Sequence, residues 1–137
     1  MYAGVALVGL KLLQDGNGDS EEHSTAFIRQ LQKHIRENLG GDLSLTALSD
    51  LVNLNTSYLS RRFKEITGRK LTDYILSLRI AETCRQLQFT NNRVKDIAGC
   101  VGYESAAHLT RIFKREIKMT PQEFRSNSSK GEAIAPK

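Results

Sequence analysis

The chain has 137 residues, 39% of them hydrophobic and 26% charged. That admits one domain or two very small ones, and it argues against both a large multidomain enzyme and general disorder. The net charge of +5 is uneven, with four basic and seven acidic side chains over residues 1–60 but fourteen and seven over residues 61–125. A C-terminal half at net +7 points to a polyanionic partner, nucleic acid before a membrane surface; the plain alternative is a solvated charged face. The two cysteines, Cys84 and Cys100, form no CxxC pair, which argues against a disulfide scaffold and makes a reducing cytoplasm the expected compartment.

In chain order, Tyr2 to Leu13 is nearly all apolar, broken by Lys11. It is shorter than the ~20 residues that span a bilayer, and it lacks the basic start and cleavage site of a secretory signal. The edge of an upstream domain, or a short interaction helix, is expected there. Gln14 to Ser20 has linker composition. Asp15, Asn17 and Asp19 imitate the start of a calcium loop, but Ser20 stands where glycine is needed and Ala26 where the bidentate glutamate is needed. No calcium site is expected.

Past the linker the periodicity is helical throughout, and the fold class is all-α. Phe27, Ile28, Leu31, Ile35 and Leu39 form one stripe, stopped by Gly40-Gly41. Ser44 caps a short second helix, and Asn55 or Thr56 opens a third that ends at Gly68. A long fourth helix is predicted from about Leu71 to Phe89, with Tyr74, Ile75, Leu78 and Leu87 on its apolar side. A short fifth helix runs from about Arg93 to Val101, and Ser105 caps a sixth that continues through Ile117. Thr120-Pro121-Gln122-Glu123 then reads as a capping box with proline at the first helical position.

An internal repeat organises these helices. Leu59-Ser60-Arg61-Arg62-Phe63-Lys64 returns as Leu109-Thr110-Arg111-Ile112-Phe113-Lys114, fifty residues on, and Tyr74 returns as Phe124. Upstream, Ser49 and Val52 match Ala98 and Val101 at an offset of forty-nine. The one-residue difference therefore falls in the turn between two helices, where an insertion costs least. Each unit is a short helix, a tight turn and a longer helix, the pattern of a helix-turn-helix. Asn53 and Gly102 are suited to the two turns because both tolerate positive φ.

At these residues the sequence resembles the AraC/XylS family of bacterial transcription regulators. The matching parts are Tyr58 to Lys64 with Gly68 and Tyr74, Arg79-Ile80, Ile97-Ala98, and Val101-Gly102-Tyr103. Phe113-Lys114 and Thr120-Pro121-Gln122-Glu123-Phe124-Arg125 complete the set. The resemblance spans about residues 26–126. It implies seven helices, two helix-turn-helix subdomains (about 45–68 and 93–118) joined by a long linking helix, and sequence-specific binding of double-stranded DNA. It also implies RNA polymerase as a partner, and a sensor or receiver domain upstream and outside this chain. Thr83 and Gln86 stand where the family has small and apolar residues, and Lys118 stands where it has glycine. Ala106 and Ala107 stand where polar base readers are common. The expected layout is an apolar segment and linker over residues 1–22, the DNA-binding domain over 23–127 and a flexible tail over 128–137.

Helical geometry selects the reading side chains independently. On the third helix Ser57, Ser60, Arg61 and Lys64 fall within about 100° of arc, opposite Leu59, Phe63 and Ile66. On the sixth, Ala107, Thr110, Arg111 and Lys114 form the same arc. Arg61 and Arg111 can bind guanine bidentately, Ser57, Ser60 and Thr110 can hydrogen-bond base edges, and Ala106 and Ala107 can pack on thymine methyls. His108 fits a DNA contact or a packing role equally. Arg62, Lys64, Lys70, Lys114, Arg115 and Lys118 can bind phosphates, which position without specifying. Cys84 and Cys100 read as core thiols. No His, Cys or Ser stands at metal-ligand or catalytic spacing, so neither a cofactor nor enzyme activity is expected. A non-specific architectural DNA binder and a protein-interaction module are the alternatives.

Overall fold

The computed structural model describes residues 19–129. The expected N-terminal apolar segment, all of the linker before Asp19, and most of the tail lie outside those residues. Among the described residues there are seven helices and no strand: α1 (Asp19–Glu37), α2 (Leu45–Val52), α3 (Thr56–Thr67), α4 (Leu71–Phe89), α5 (Val94–Cys100), α6 (Ala106–Ile117) and α7 (Pro121–Ser129). Asp19 and Ser20, expected in the linker, belong to α1. Leu39, expected within the first helix, lies past its end, where the Asn38 amide donates back to the His34 carbonyl at 2.8 Å.

The helices form two compact units. The first comprises residues 19–38 and 42–75, and the second residues 39–41 and 76–129. In the first, α1 packs on α2 and α3, and Leu31, Ile35, Leu48, Leu59 and Phe63 are fully buried. The Phe63 ring lies 5.5 Å from that of Tyr74. In the second, Ile97, Val101, Leu109 and Phe113 are fully buried, and Phe113 meets Phe124 edge-on at 5.6 Å. The same aromatic pair thus closes both cores. Each of these rings contributes roughly 2–3 kcal/mol by burial alone.

Both turns have the geometry that the repeat requires. Asn53 (φ 57°) and Gly102 (φ 92°) adopt the left-handed region. The Leu54 N–H donates to the Ser49 carbonyl at 2.9 Å, and the Tyr103 N–H to the Ala98 carbonyl at 2.8 Å. The caps that follow, Asn55 and Ser105, stand fifty residues apart. The extra residue of the second turn is therefore Glu104. The small residues at the close approach, Ser49 and Ala98, are both buried, and the Ser49 hydroxyl donates to the Thr46 carbonyl at 2.9 Å.

The long helix α4 does not keep one apolar side. Its first turns bury Leu71, Tyr74 and Ile75, whereas its last three turns bury Ile80, Thr83, Gln86 and Leu87 on a different face. Ile80 and Leu87 belong to the core of the second unit. The buried polar groups there are satisfied. Thr83 donates to the Arg79 carbonyl at 2.8 Å, and the Gln86 amide donates to Glu82 at 2.9 Å and accepts from Asn92 at 3.1 Å.

Two arginines fasten backbone within the second unit. Arg79 donates to the Leu39 carbonyl at 3.1 Å and lies over the Tyr103 ring at 5.6 Å. Arg125 donates to the carbonyls of Leu87 and Thr90 at 3.1 and 3.0 Å, satisfying the end of α4. Cys84 packs against the same core, and burial pushes its thiol up to about 11. Cys100, expected in the core, is exposed. It sits on α5 away from the stripe formed by Ile97, Ala98 and Val101.

Candidate nucleic-acid interface

The two helices expected to read DNA are set by matching devices. The Asn55 side chain accepts from the Ser57 and Tyr58 N–H groups at 2.8 and 3.1 Å, and the Ser105 hydroxyl accepts from the His108 N–H at 3.0 Å. At the far ends, Gly68 (φ 81°) and Lys118 (φ 75°) take the left-handed conformation, and each donates its N–H to the carbonyl of the lysine four residues back. Leu59 and Phe63 on α3, and Leu109 and Phe113 on α6, face their cores. The opposite arcs face outward as a consequence.

On α3, Ser57, Arg61 and Lys64 are exposed and Ser60 is half-buried. They line a groove of about 790 Å³ together with Glu65 and Lys70. The Arg61 guanidinium lies over the Tyr58 ring at 5.3 Å, and its Nε is 3.9 Å from Glu65 Oε2. Arg62 is not among the residues that line this groove. Its side chain is 26% exposed against 60% for Arg61, and its Nη1 donates to Glu65 Oε1 at 2.8 Å. It occupies the position of the half-buried Ile112 in the second unit.

On α6, Ala107, Arg111 and Lys114 are exposed, and Ala106, His108 and Thr110 are half-buried. The His108 ring stands edge-on to the buried Tyr103 at 5.1 Å, the packing role left open by the sequence. Arg115 is exposed and pairs with Glu116 at 2.9 Å. Lys118 is exposed, and its ammonium donates to the Arg115 carbonyl at 3.1 Å. Exposed polar and cationic side chains on both outward arcs can hydrogen-bond base edges and bind phosphate. Tyr58 and Glu65 were not selected from the sequence. Glu65 stands four residues after Arg61, so the spacing that found Lys64 could have found it too.

Among the described residues, no group of three or more His, Cys, Asp or Glu could hold a metal ion. No helix among them is long and apolar enough to cross a membrane. Two helix-turn-helix units with outward basic arcs define a tandem helix-turn-helix DNA-binding domain.

Comparison with known proteins narrows that class. Residues 48–127 match the helix-turn-helix domain family. The multiple antibiotic resistance protein MarA of Escherichia coli is 32% identical over 106 residues, which cover 77% of this chain and 84% of MarA. The C-terminal domain of the two-component response regulator yesN from Fusobacterium nucleatum superposes with a TM-score of 0.69 at 30% identity, over 71% of this chain and 95% of that domain. The DNA-binding domain of AdpA, a global transcriptional factor solved in complex with a target DNA, has the same fold, with a TM-score of 0.71 at 20% identity over 77% of this chain and 96% of that one. Against two longer curated relatives, at 32% and 30% identity, the chain spans 48% and 34% of their lengths. The chain belongs to the AraC/XylS-type helix-turn-helix family of DNA-binding transcription regulators.

Proposed function

We propose that this domain regulates bacterial transcription by laying α3 and α6 in adjacent major grooves of one duplex. The observation that carries this reading is the repeated outward arc: Ser57, Ser60, Arg61 and Lys64 recur in register as Ala107, Thr110, Arg111 and Lys114. Between the two readers in the chain lies α4, whose 19 residues make a rod of ~28 Å at 1.5 Å per residue. Successive major grooves on one face of B-DNA lie ~34 Å apart. The site is then asymmetric, approaches ~20 base pairs and needs no palindrome.

In this reading Ser57, Ser60 and Arg61, with Ala106, Ala107, Thr110 and Arg111, meet base edges, and His108 reaches one at the margin of the second reader. Lys64, Lys70, Lys114, Arg115 and Lys118 bind phosphates, joined by Arg62 where it turns from Glu65. The domain spans residues 23–127, between the N-terminal segment and the tail. It works in the cytoplasm and contacts RNA polymerase when it activates. It answers to a sensor or receiver domain outside this sequence. It catalyses nothing and needs no cofactor. Selection of bound duplexes from a random pool tests the reading. An asymmetric consensus with two blocks one helical turn apart supports it, and a strictly palindromic site, or a single block, contradicts it.

A further inference from the structure

Glu65 is the one carboxylate among the side chains lining the groove along α3. Half exposed, it divides its two oxygens between neighbouring arginines, Oε2 toward Arg61 at 3.9 Å and Oε1 to Arg62 at 2.8 Å. Arg61 is thereby held between the Tyr58 ring on one side and a carboxylate on the other. Fifty residues on, the corresponding position is Arg115. The two readers therefore carry opposite charges at one place on otherwise matching faces.

A carboxylate on a surface that meets phosphates is repelled by every duplex alike, and so lowers affinity without regard to sequence. It persists at a gain in discrimination if it keeps an arginine from the phosphates and presents it to a base. Resting on the DNA-reading role of α3, we propose that Glu65 is a specificity-determining positioning residue. It holds Arg61 toward the base edge and suppresses binding to duplexes of the wrong sequence.

The step beyond packing is visible in the sign of the expected effect. Glu65→Gln removes the charge while keeping the shape, so Arg61 is released to phosphates. Affinity for random duplex should rise roughly three- to tenfold at 0.1 M salt. The salt slope should steepen by up to about one, the contribution of one added phosphate contact. Preference at the base position lost in Arg61→Ala should weaken in Glu65→Gln as well. Glu65→Asp keeps the charge and should stay near the parent chain on random duplex. A merely damaged helix loses affinity, so it cannot imitate the rise.

The experiment measures binding of the parent chain, Glu65→Gln, Glu65→Asp and Glu65→Gln/Arg61→Ala to a selected duplex and to a random one across a salt series. Tighter random binding together with reduced preference in Glu65→Gln supports the proposal. A Glu65→Gln variant that binds random duplex no tighter, or that keeps full preference, overturns it. A parent chain with no preference between duplexes overturns the DNA-reading role itself, which separates the two failures.

Discussion

Among single residues, the division of labour on the reading helices yields the sharpest contrasts. Arg61 and Arg111 are exposed at equivalent positions, but the first is flanked by Ser57 and Ser60 and the second by Ala107 and Thr110. Removing a bidentate arginine costs ~1–3 kcal/mol of base discrimination. Arg61→Ala should therefore relax preference at one base position, and more than Arg111→Ala relaxes its own. Lys114→Ala should weaken all sequences alike and make the salt slope shallower by about one. Site selection with the three variants checks this; a larger loss of preference in Arg111→Ala than in Arg61→Ala reverses the ranking of the readers.

Glycines of equal backbone strain should also differ in tolerance. Gly68 and Gly102 both have positive φ, but a Cβ on Gly68 meets nothing, whereas one on Gly102 meets the Arg79 guanidinium and the Leu39 carbonyl at 2.7 Å. Gly68→Ala should cost about 1 kcal/mol and Gly102→Ala at least ~2 kcal/mol. At Lys118, the counterpart of Gly68, the left-handed backbone carries a side chain that glycine would relieve. Lys118→Gly should raise stability by about 0.5–1 kcal/mol while shallowing the salt slope of DNA binding. Denaturant unfolding of the three variants measures these changes, and equal losses at the two glycines would refute the steric account.

At the scale of elements, the caps were legible because they are local. Asn55, Ser105 and the Thr120–Glu123 box are signalled by residue type at fixed spacing. The structure has the reciprocal bonds of that box, Thr120 N–H to Glu123 at 2.9 Å and Glu123 N–H to the Thr120 hydroxyl at 3.1 Å. The bond from the Thr120 N–H holds the Glu123 carboxyl below its usual pKa, and the Arg85 guanidinium does the same for Glu82. A depressed folded pKa contributes stability that is present above the unfolded value and is lost as pH falls through the folded one. Thermal stability should therefore drop from about pH 5 to pH 3, the carboxylate range. Glu123→Gln should flatten that drop; a variant with an unchanged acid profile would show the box to be energetically silent.

Other features of the elements escaped local reading for a common physical cause. The Arg79 and Arg125 bonds join residues 40 and 38 apart in the chain, and no periodicity reports such pairs. The change of buried face along α4 followed from one helix serving two cores, so a search for a single stripe found only part of it. Cys100 was misjudged because residue type was weighed above angular position: it lies off the stripe of Ile97 and Val101. The repeat gave the outward arcs correctly because burial of Leu59, Phe63, Leu109 and Phe113 leaves their opposite faces nowhere else to point.

For the whole molecule, the charge asymmetry and the doubled reading arc converge on one property. In the proposed reading, phosphate contacts from the basic half supply affinity that every duplex shares, and the arcs of α3 and α6 supply the difference between duplexes. Neither alone makes a regulator, since an electrostatic binder without the arcs would coat DNA indiscriminately. The most direct test is the affinity of the described domain for a selected duplex and for a random competitor, titrated over salt. With five or six phosphate contacts, the slope of log affinity against log salt should be about −5 for the selected duplex. The selected duplex should stay at least ~10³-fold tighter at physiological salt. Equal affinity for both duplexes, or a slope near zero, would contradict sequence-specific binding through two basic reading helices.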